Sequence, residues 1–486
     1  MTVDIWPTLH KTIINRLGTK VLRSPKVGLL TVLRSLRTLA PVSDTELTAV
    51  TAELVAKWPE TKIDPSLERI KALMDILGQP QRSYPSIHIT GTNGKTSTAR
   101  MIEQLLRTFE LRTGRYTSPH VESITERISL DGESISPELF VQTYEDIKPY
   151  VAMVDAQQPN PMSFFEVVTA MAYACFADAP VDVAIVEVGI GGTWDATNVI
   201  DAVVSVITPI ALDHTDRLGD TTALIAGEKS GIIKKGGLAV VAQQPLDAAE
   251  VILRRAVEID ATVAREGMEF GVLRRDVAVG GQLVTLRGIS GHEYEEIFLP
   301  LHGAHQAQNA ALALAAVEGF FGVGAAHDQP LDIDKVRAAF AGVSSPGRLE
   351  VVRRSPTIVL DAAHNPAGAR STAEAIGEAF AFTRLVGVFS PSGDKDVTGV
   401  LEALEPVLAE IVVTQNSTQR ALDVDSLAEL AVEVFGPDRV HVERRLDDAI
   451  DAAVTLAEEE GDLGGAGVLI TGSIITIGEA RLLLGK

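Results

Sequence analysis

The sequence predicts an α/β chain of two domains, the larger built on a mostly parallel sheet and the smaller a second α/β unit downstream. Three observations carry that expectation. From Leu47 onward short apolar runs alternate with helical patterns, as parallel α/β architecture requires. Two of the runs, VDVAIVEVG (181–189) and VVSVITPIAL (203–212), are nearly unbroken and suit central strands covered on both faces. A glycine-rich stretch, TGTNGKTS (90–97), stands between an apolar run and a helical pattern.

Taken in order, SIHIT (86–90) reads as a strand, and Met101, Ile102, Leu105, Leu106 and Phe109 recur at helical spacing after the loop. Residues 265 to 300 are β-rich, with QLVTLRG and EEIFLPL as candidate strands inserted late in the first domain. VSSPG (343–347) interrupts the pattern as a linker, and TIVLD, RLVGVF, EIVVT and GVLIT then supply the strands of the second domain. The expected organisation is an N-terminal extension over 1–43, a first domain over 44–342 and a second over 348–486.

Composition narrows the function. At 486 residues with 46% hydrophobic content the chain can bury a large core. The single cysteine, Cys175, excludes a disulfide framework and fits the cytoplasm. No apolar run is long enough to span a membrane and no leader pattern opens the chain, so a soluble protein is expected, and a monomer. A formal charge of −22 argues against a nucleic-acid partner. Residues 1 to 43 depart from it, with seven Lys/Arg against Asp4 alone. A poorly ordered extension, or a start assigned too early, is the expectation there rather than a basic helix on an anionic surface.

The chemistry begins at the loop. Between strand and helix, the backbone N–H groups of Thr92, Asn93 and Gly94 and the helix dipole point at an anion. Lys95 can bridge terminal phosphates and the Thr96 hydroxyl suits Mg²⁺. The usual pattern G-x-x-x-x-G-K-[ST] would place glycine at Ile89, so the loop is a variant of it. Ligands of parallel sheets sit beyond the carboxyl ends of strands, which singles out Glu187, closing VDVAIVE, and Asp213 with His214, closing the next run. A carboxylate within an apolar run is costly to bury unless it is paired or holds a metal.

The motifs TGTNGKTS, YTSPH, ERI, EVGIGG, DATN, LDH, GEKSGIIK, HQAQNAALAL, PGRLE, DAAHNP and TGS occur in the order of the folylpolyglutamate synthase and dihydrofolate synthase family, the folate branch of the Mur ligases. The resemblance runs from about residue 60 to the C-terminus, and its short T-G-x-x-G-K loop makes Ile89 normal. It implies a P-loop ATPase-like domain followed by a smaller Rossmann-like one, and ATP-driven joining of glutamate to a folate or pteroate carboxylate through an acyl phosphate. Carried over by motif, Ser118, Glu187 and His214 resemble the ligands of one or two Mg²⁺ ions, and Lys229 the lysine that the family carries as a carbamate. A monovalent cation is a further expected cofactor. Asn309 resembles the adenine contact, Arg348 the arginine that reaches the ATP phosphates, and Asp361 the second domain's nucleotide contact. His364 and Ser473 resemble the contacts to incoming glutamate. Lys95, Lys229 and His364 are the expected catalytic residues.

TKIDPSLERI (61–70) resembles the segment that holds the pterin in bifunctional members, with Ile63, Asp64 and Pro65, and a carboxylate there accepts two adjacent pterin N–H donors at once. The plainer reading makes Asp64 an N-cap of the helix that follows. Ser163, Phe164, Phe165 and Glu166, with Trp194, Asp195 and Ala196, resemble the remaining walls. Thr193 and Ala362 depart from the family pattern, which usually has arginine and glycine there. Dihydropteroate, tetrahydrofolate with its polyglutamates, and L-glutamate are the expected partners. The rivals are a synthase restricted to folylpolyglutamates, a cell-wall ligase with a UDP-muramyl acceptor, and a nucleotide-gated binding protein without catalysis.

Overall fold

The structure, a computed structural model, describes residues 42–58, 64–323, 329–459 and 465–485. The basic extension and Ile63 lie outside the described residues, apart from Val42 and Ser43.

Strand β1 (Ser86–Thr90) is buried along its whole length and pairs in parallel with β5 (Val183–Glu187) on one side and β6 (Val204–Ile207) on the other. The runs that supply β5 and β6 are the nearly unbroken ones, and with β1 between them they occupy the middle of the sheet as expected. Adding β2 (Thr113–Tyr116), β3 (Ile128–Leu130), β4 (Glu133–Ser134), β7 (Leu238–Val241) and β8 (Thr262–Arg265) gives the order β4-β3-β2-β5-β1-β6-β7-β8. The pairs β2–β3 and β3–β4 are antiparallel and the rest parallel. Side chains alternate across the sheet. Ile87, Ile89 and Ile185 join Met101, Ile102 and Leu105 of the helix Lys95–Thr108 and Ala310 and Leu314 of the helix Ala304–Phe321. On the other face Ala184 and Val186 pack with Phe140, Val167 and Met171 from the helices Pro137–Asp155 and Phe164–Asp178.

The β-rich stretch forms its own antiparallel sheet of β9 (Gly271–Ala278), β10 (Gly281–Arg287) and β11 (Glu293–Leu299). After residue 343 a third sheet has the order β12-β13-β17-β14-β15-β16, parallel except for the β12–β13 hairpin (Glu350–Arg354 with Thr357–Leu360). Its remaining strands are β14 (Arg384–Phe389), β15 (Glu410–Val413), β16 (Val440–Val442) and β17 (Ala466–Thr471). The helix Pro366–Ala379 starts as its sequence dictates, with Pro366 at the first position and the Asn365 side chain accepting from the Gly368 N–H at 2.8 Å.

The carboxyl edges of the two large sheets face each other. Asn93 in the loop after β1 and Asn365 in the loop after β13 exchange amide hydrogen bonds of 3.2 and 3.0 Å. No helix among the described residues is long and apolar enough to cross a membrane.

Candidate functional site

The loop after β1 is shaped by its own residues first. Gly94 caps the following helix at φ +88°, where a side chain is strained, and an added Cβ would stand 2.5 Å from the Asn309 Oδ1. Thr92 holds the opposite wall, its hydroxyl donating to Ala211 O at 3.0 Å. Lys95 Nζ bends back to donate to the carbonyls of Gly91 and Thr92, both at 3.1 Å. Burial lowers its pKa, while the Glu187 and Asp213 carboxylates act in the opposite sense. A phosphate entering the loop would replace those neutral carbonyl acceptors with charged ones.

Glu187 ends β5 almost completely buried, and both carboxylate oxygens accept from the Thr96 hydroxyl at 3.0 Å. Burial raises its pKa against the pull of Lys95 and the Thr96 hydrogen bond. Lys229, at the end of the helix Thr222–Lys229, is buried too and donates to Gly91 O at 2.9 Å. Burial, reinforced by the charge of Lys95, brings its amine down to about 7.

These groups line a cavity of about 390 Å³ that also takes in Asn309, Arg348, Asp361 and His364. A second cavity, of about 380 Å³, holds Asp64, Arg69, Ser163, Phe165, Glu166, Trp194, Asp195, Ala196 and Ser473. Thr96, Ser118, His214, Arg348 and His364 line both, and so form a waist where the two spaces meet.

Polar side chains span the waist from both sheets. Asp213 accepts from Lys395 Nζ at 2.5 Å and from Asn365 Nδ2 at 3.2 Å, and lies 3.5 Å from His364 Nε2. Burial alone would raise Asp213, but the hydrogen bond from His364 and the positive charge around it, that of Lys395 included, prevail and hold it well below the usual carboxylate range. His214 is brought down to about 4, chiefly by burial, and is neutral at pH 7. His364 Nδ1 is 2.9 Å from Ala362 O, a carbonyl that can only accept, so Nδ1 donates there.

In the second cavity Asp64 is no helix cap. The helix Glu68–Ile76 begins without a side-chain bond from its N-cap, and Asp64 Oδ2 instead accepts from Arg69 at 2.6 Å and Asn160 at 3.1 Å. The Arg69 hydrogen bond is the main cause of a lowered Asp64 pKa. Arg69 reaches on to Glu166 at 3.1 Å, and Glu166 completes a capping box with Ser163.

Homology to known proteins agrees with this layout. Residues 89–317 match the Mur ligase middle domain and residues 347–474 the Mur ligase glutamate ligase domain. The dihydrofolate synthase/folylpolyglutamate synthase of Mycobacterium tuberculosis is 56% identical over 451 residues, covering 88% of this chain and 92% of that protein. The chain belongs to the dihydrofolate synthase/folylpolyglutamate synthase family. Its fold also matches the M. tuberculosis folylpolyglutamate synthase complexed with ADP, with a TM-score of 0.87 at 55% identity over 91% of this chain and 99% of that one. An E. coli FolC structure in complex with DHPP and ADP superposes with a TM-score of 0.78 at 28% identity, covering 92% and 99%.

Several family-expected residues are occupied by the fold itself. Asp361 accepts from the Leu349 N–H at 2.9 Å, the Ala363 N–H at 3.0 Å and the Thr372 hydroxyl at 2.8 Å, so its carboxylate also ties β13 to the segment that follows the linker and to the next helix. Ser473 caps the helix Ile474–Leu483 through the Thr476 N–H at 3.1 Å. Asp195, buried, accepts from the N–H groups of Gly189, Ile190 and Thr197 and shapes the wall rather than facing ligand with a free carboxylate. Phe164 corrects the expectation for the pterin walls: it lies in the core, with the Arg127 guanidinium 4.8 Å from its ring centroid, because successive helix positions face different sides. Phe165 takes the cavity side instead. Pro65 is exposed and does not line the cavity.

Sequence reasoning left Lys395 out. Its only signal was a lysine in SGDKD just beyond β14, at the ligand end of a parallel sheet.

Proposed function

We propose that the chain is a bifunctional ligase that joins L-glutamate to dihydropteroate and extends tetrahydrofolate polyglutamates, using ATP. The observation that supports it is the waist: a phosphate-loop cavity and an aromatic and acidic cavity meet at Thr96, Ser118, His214, Arg348 and His364. In this reading a carboxylate oxygen of the acceptor attacks the terminal phosphorus of ATP and ADP leaves. The glutamate nitrogen then attacks the acyl carbon, losing a proton as inorganic phosphate departs. Lys95 and Arg348 neutralise phosphate charge, Asn309 contacts the adenine and Asp361 reaches the nucleotide from the second sheet, while His364 and Ser473 receive glutamate. Asp64, Phe165 and Trp194 hold the pterin.

Ser118, Glu187 and His214 suit Mg²⁺, offering a hydroxyl, a buried carboxylate and a neutral imidazole on one cavity. No three His, Cys, Asp or Glu residues converge on a metal position among the described residues, so the set needs oxygens from elsewhere. A carbamate on Lys229 would supply two, and an amine brought to about 7 is available in the neutral form that reacts with CO₂. Bound there, the ion supplies charge neutralisation to the phosphates. The reducing cytoplasm, a monomeric state, a bound monovalent cation and a domain boundary at 343–347 belong to the same reading.

Phosphate release with ATP, Mg²⁺ and glutamate tests it, comparing dihydropteroate, tetrahydrofolate and a UDP-muramyl acceptor. Turnover with the first two alone is expected. Protein that extends tetrahydrofolate yet never consumes dihydropteroate defeats bifunctionality, and turnover with the muramyl acceptor alone defeats the folate assignment.

A further inference from the structure

Arg100 stands four residues after Thr96 on the helix Lys95–Thr108, on the same face and one turn further from the waist. It is partly buried on the wall of the second cavity, beside Ser118, His120 and Arg127. The other cations of that wall are engaged. Arg69 is bonded to Asp64 and Glu166, Arg127 to His120, Lys395 to Asp213 and Arg420 to Asp394, and Arg348 donates to the Gly347 carbonyl. Arg100 makes no hydrogen bond or ion pair with any described residue. Burial, reinforced by the charge of Arg115 and opposed by those of Glu103 and Glu126, brings its pKa to about 10, so it remains a cation at neutral pH. A guanidinium with no carboxylate bonded to it on a cavity wall is costly for the free protein and calls for an anion from the ligand.

The two acceptors differ in one anion near the reacting carbon. Dihydropteroate has a single carboxylate, the one that reacts. Tetrahydrofolate reacts at the γ-carboxylate of its glutamate and carries a free α-carboxylate beside it. A group one helical turn from the waist, on the first-sheet side with Ser118 and His120, is placed for that neighbouring anion. Incoming glutamate is expected from the opposite side, where His364, Lys395 and Ser473 belong to the second unit.

We propose that Arg100 is a specificity-determining residue that receives the free α-carboxylate of the acceptor's terminal glutamate, and so serves polyglutamate extension but not dihydropteroate ligation. This rests on the bifunctional folate reading above.

The test is Arg100→Met, with Arg100→Lys as the conservative partner, measured by KM and kcat for tetrahydrofolate, dihydropteroate and glutamate, and by equilibrium binding of both acceptors without glutamate. For Arg100→Met the tetrahydrofolate KM and dissociation constant should rise about ten- to a hundredfold, the effect of losing one charge-assisted hydrogen bond. Dihydropteroate constants and the glutamate KM should stay within about threefold, well inside that range. Arg100→Lys should recover part of the loss. The melting temperature of Arg100→Met should be unchanged or higher, because the charge removed has no partner in the free protein.

Equal losses for both acceptors, or a rise confined to the glutamate KM, overturn the proposal, as does a marked fall in melting temperature. Wild-type protein that binds and uses neither acceptor would overturn the folate reading instead. Wild type that extends tetrahydrofolate without consuming dihydropteroate removes bifunctionality alone, and the binding comparison still decides the role of Arg100.

Discussion

Lys95 and Lys229 show how burial assigns different tasks to the same side chain. Both amines are desolvated, but Lys95 lies near the carboxylates of Glu187 and Asp213, whereas Lys229 has the charge of Lys95 as its strongest neighbour. The first is suited to remain a cation on phosphate. Lys95→Ala should therefore lower kcat by about a thousandfold with either acceptor, the upper range for removing one charge-stabilising group. Near-normal kcat in that variant, measured by phosphate release, would remove the phosphate loop from the mechanism. The neutral fraction of Lys229 rises as pH rises through about 7, so bicarbonate should reactivate CO₂-depleted enzyme faster above that pH than below it. Lys229→Ala should fold normally, turn over slowly and regain part of its rate with acetate. Wild-type rates without acetate would show that the lysine carries no carbamate role.

At the level of elements, the contact between the helix Ile474–Leu483 and the segment after Pro119 is tight enough to be tested. Gly478 lies against the backbone of Val121, where an added Cβ would collide with the carbonyl oxygen, and Arg481 pairs with both Glu122 and Glu350. Glu126 fastens the same segment from within, accepting from the N–H groups of Val121, Glu122 and Ser123. Ser118 therefore sits in a loop seated on the second sheet's helix. Gly478→Ala should cost about 1–3 kcal/mol of that seating and lower kcat/KM by roughly ten- to a hundredfold, with circular dichroism unchanged. Unaltered kinetics would mean that the contact contributes nothing to the assembled site. Asp64→Ala should lose dihydropteroate ligation far more than tetrahydrofolate extension, since the longer acceptor has other anchors. Equal losses would reassign Asp64 to support of Arg69.

Across the whole molecule, what was legible in the sequence is what one stretch of chain decides by itself. The strand–loop–helix unit at 86–109, the buried runs at 183–187 and 204–207, the insertion at 265–300 and the Asn365 cap all depend on local pattern. The strands β2, β3, β4, β7, β8, β12 and β16 are absent from the sequence reading because they are two to five residues long, and the edge strands β4, β8, β12 and β16 are largely exposed or half-buried. Pairings made only by folding were also invisible. Nothing near Lys395 in sequence indicates Asp213, 182 positions away, and nothing near Arg69 indicates Glu166. The same distance hides the bonds that Asp361 and Ser473, expected as ligand contacts, make to backbone N–H groups. Nucleotide at about a hundred times its dissociation constant should stabilise the protein by roughly 2.7 kcal/mol. A melting curve unmoved by ADP or a non-hydrolysable ATP analogue would contradict the placement of the nucleotide between the two sheets.

The waist between the two cavities has a further consequence, for timing. A mixed anhydride of a carboxylic and a phosphoric acid survives in water only until a solvent molecule attacks it. Here the space in which it would form is also the space in which the amine must arrive, so the fragile species has no distance to travel before it reacts. Its lifetime is then set by occupancy of the adjoining chamber. With glutamate seated, the bond made is an amide; with that seat vacant, the walls at His214, Arg348 and His364 are the barrier to wasteful hydrolysis. Counting ATP consumed per amide formed, at saturating and at scarce glutamate, reads that barrier directly. A ratio near one at both extremes is what a sealed waist delivers, and a ratio that climbs as glutamate becomes scarce would reveal a leak.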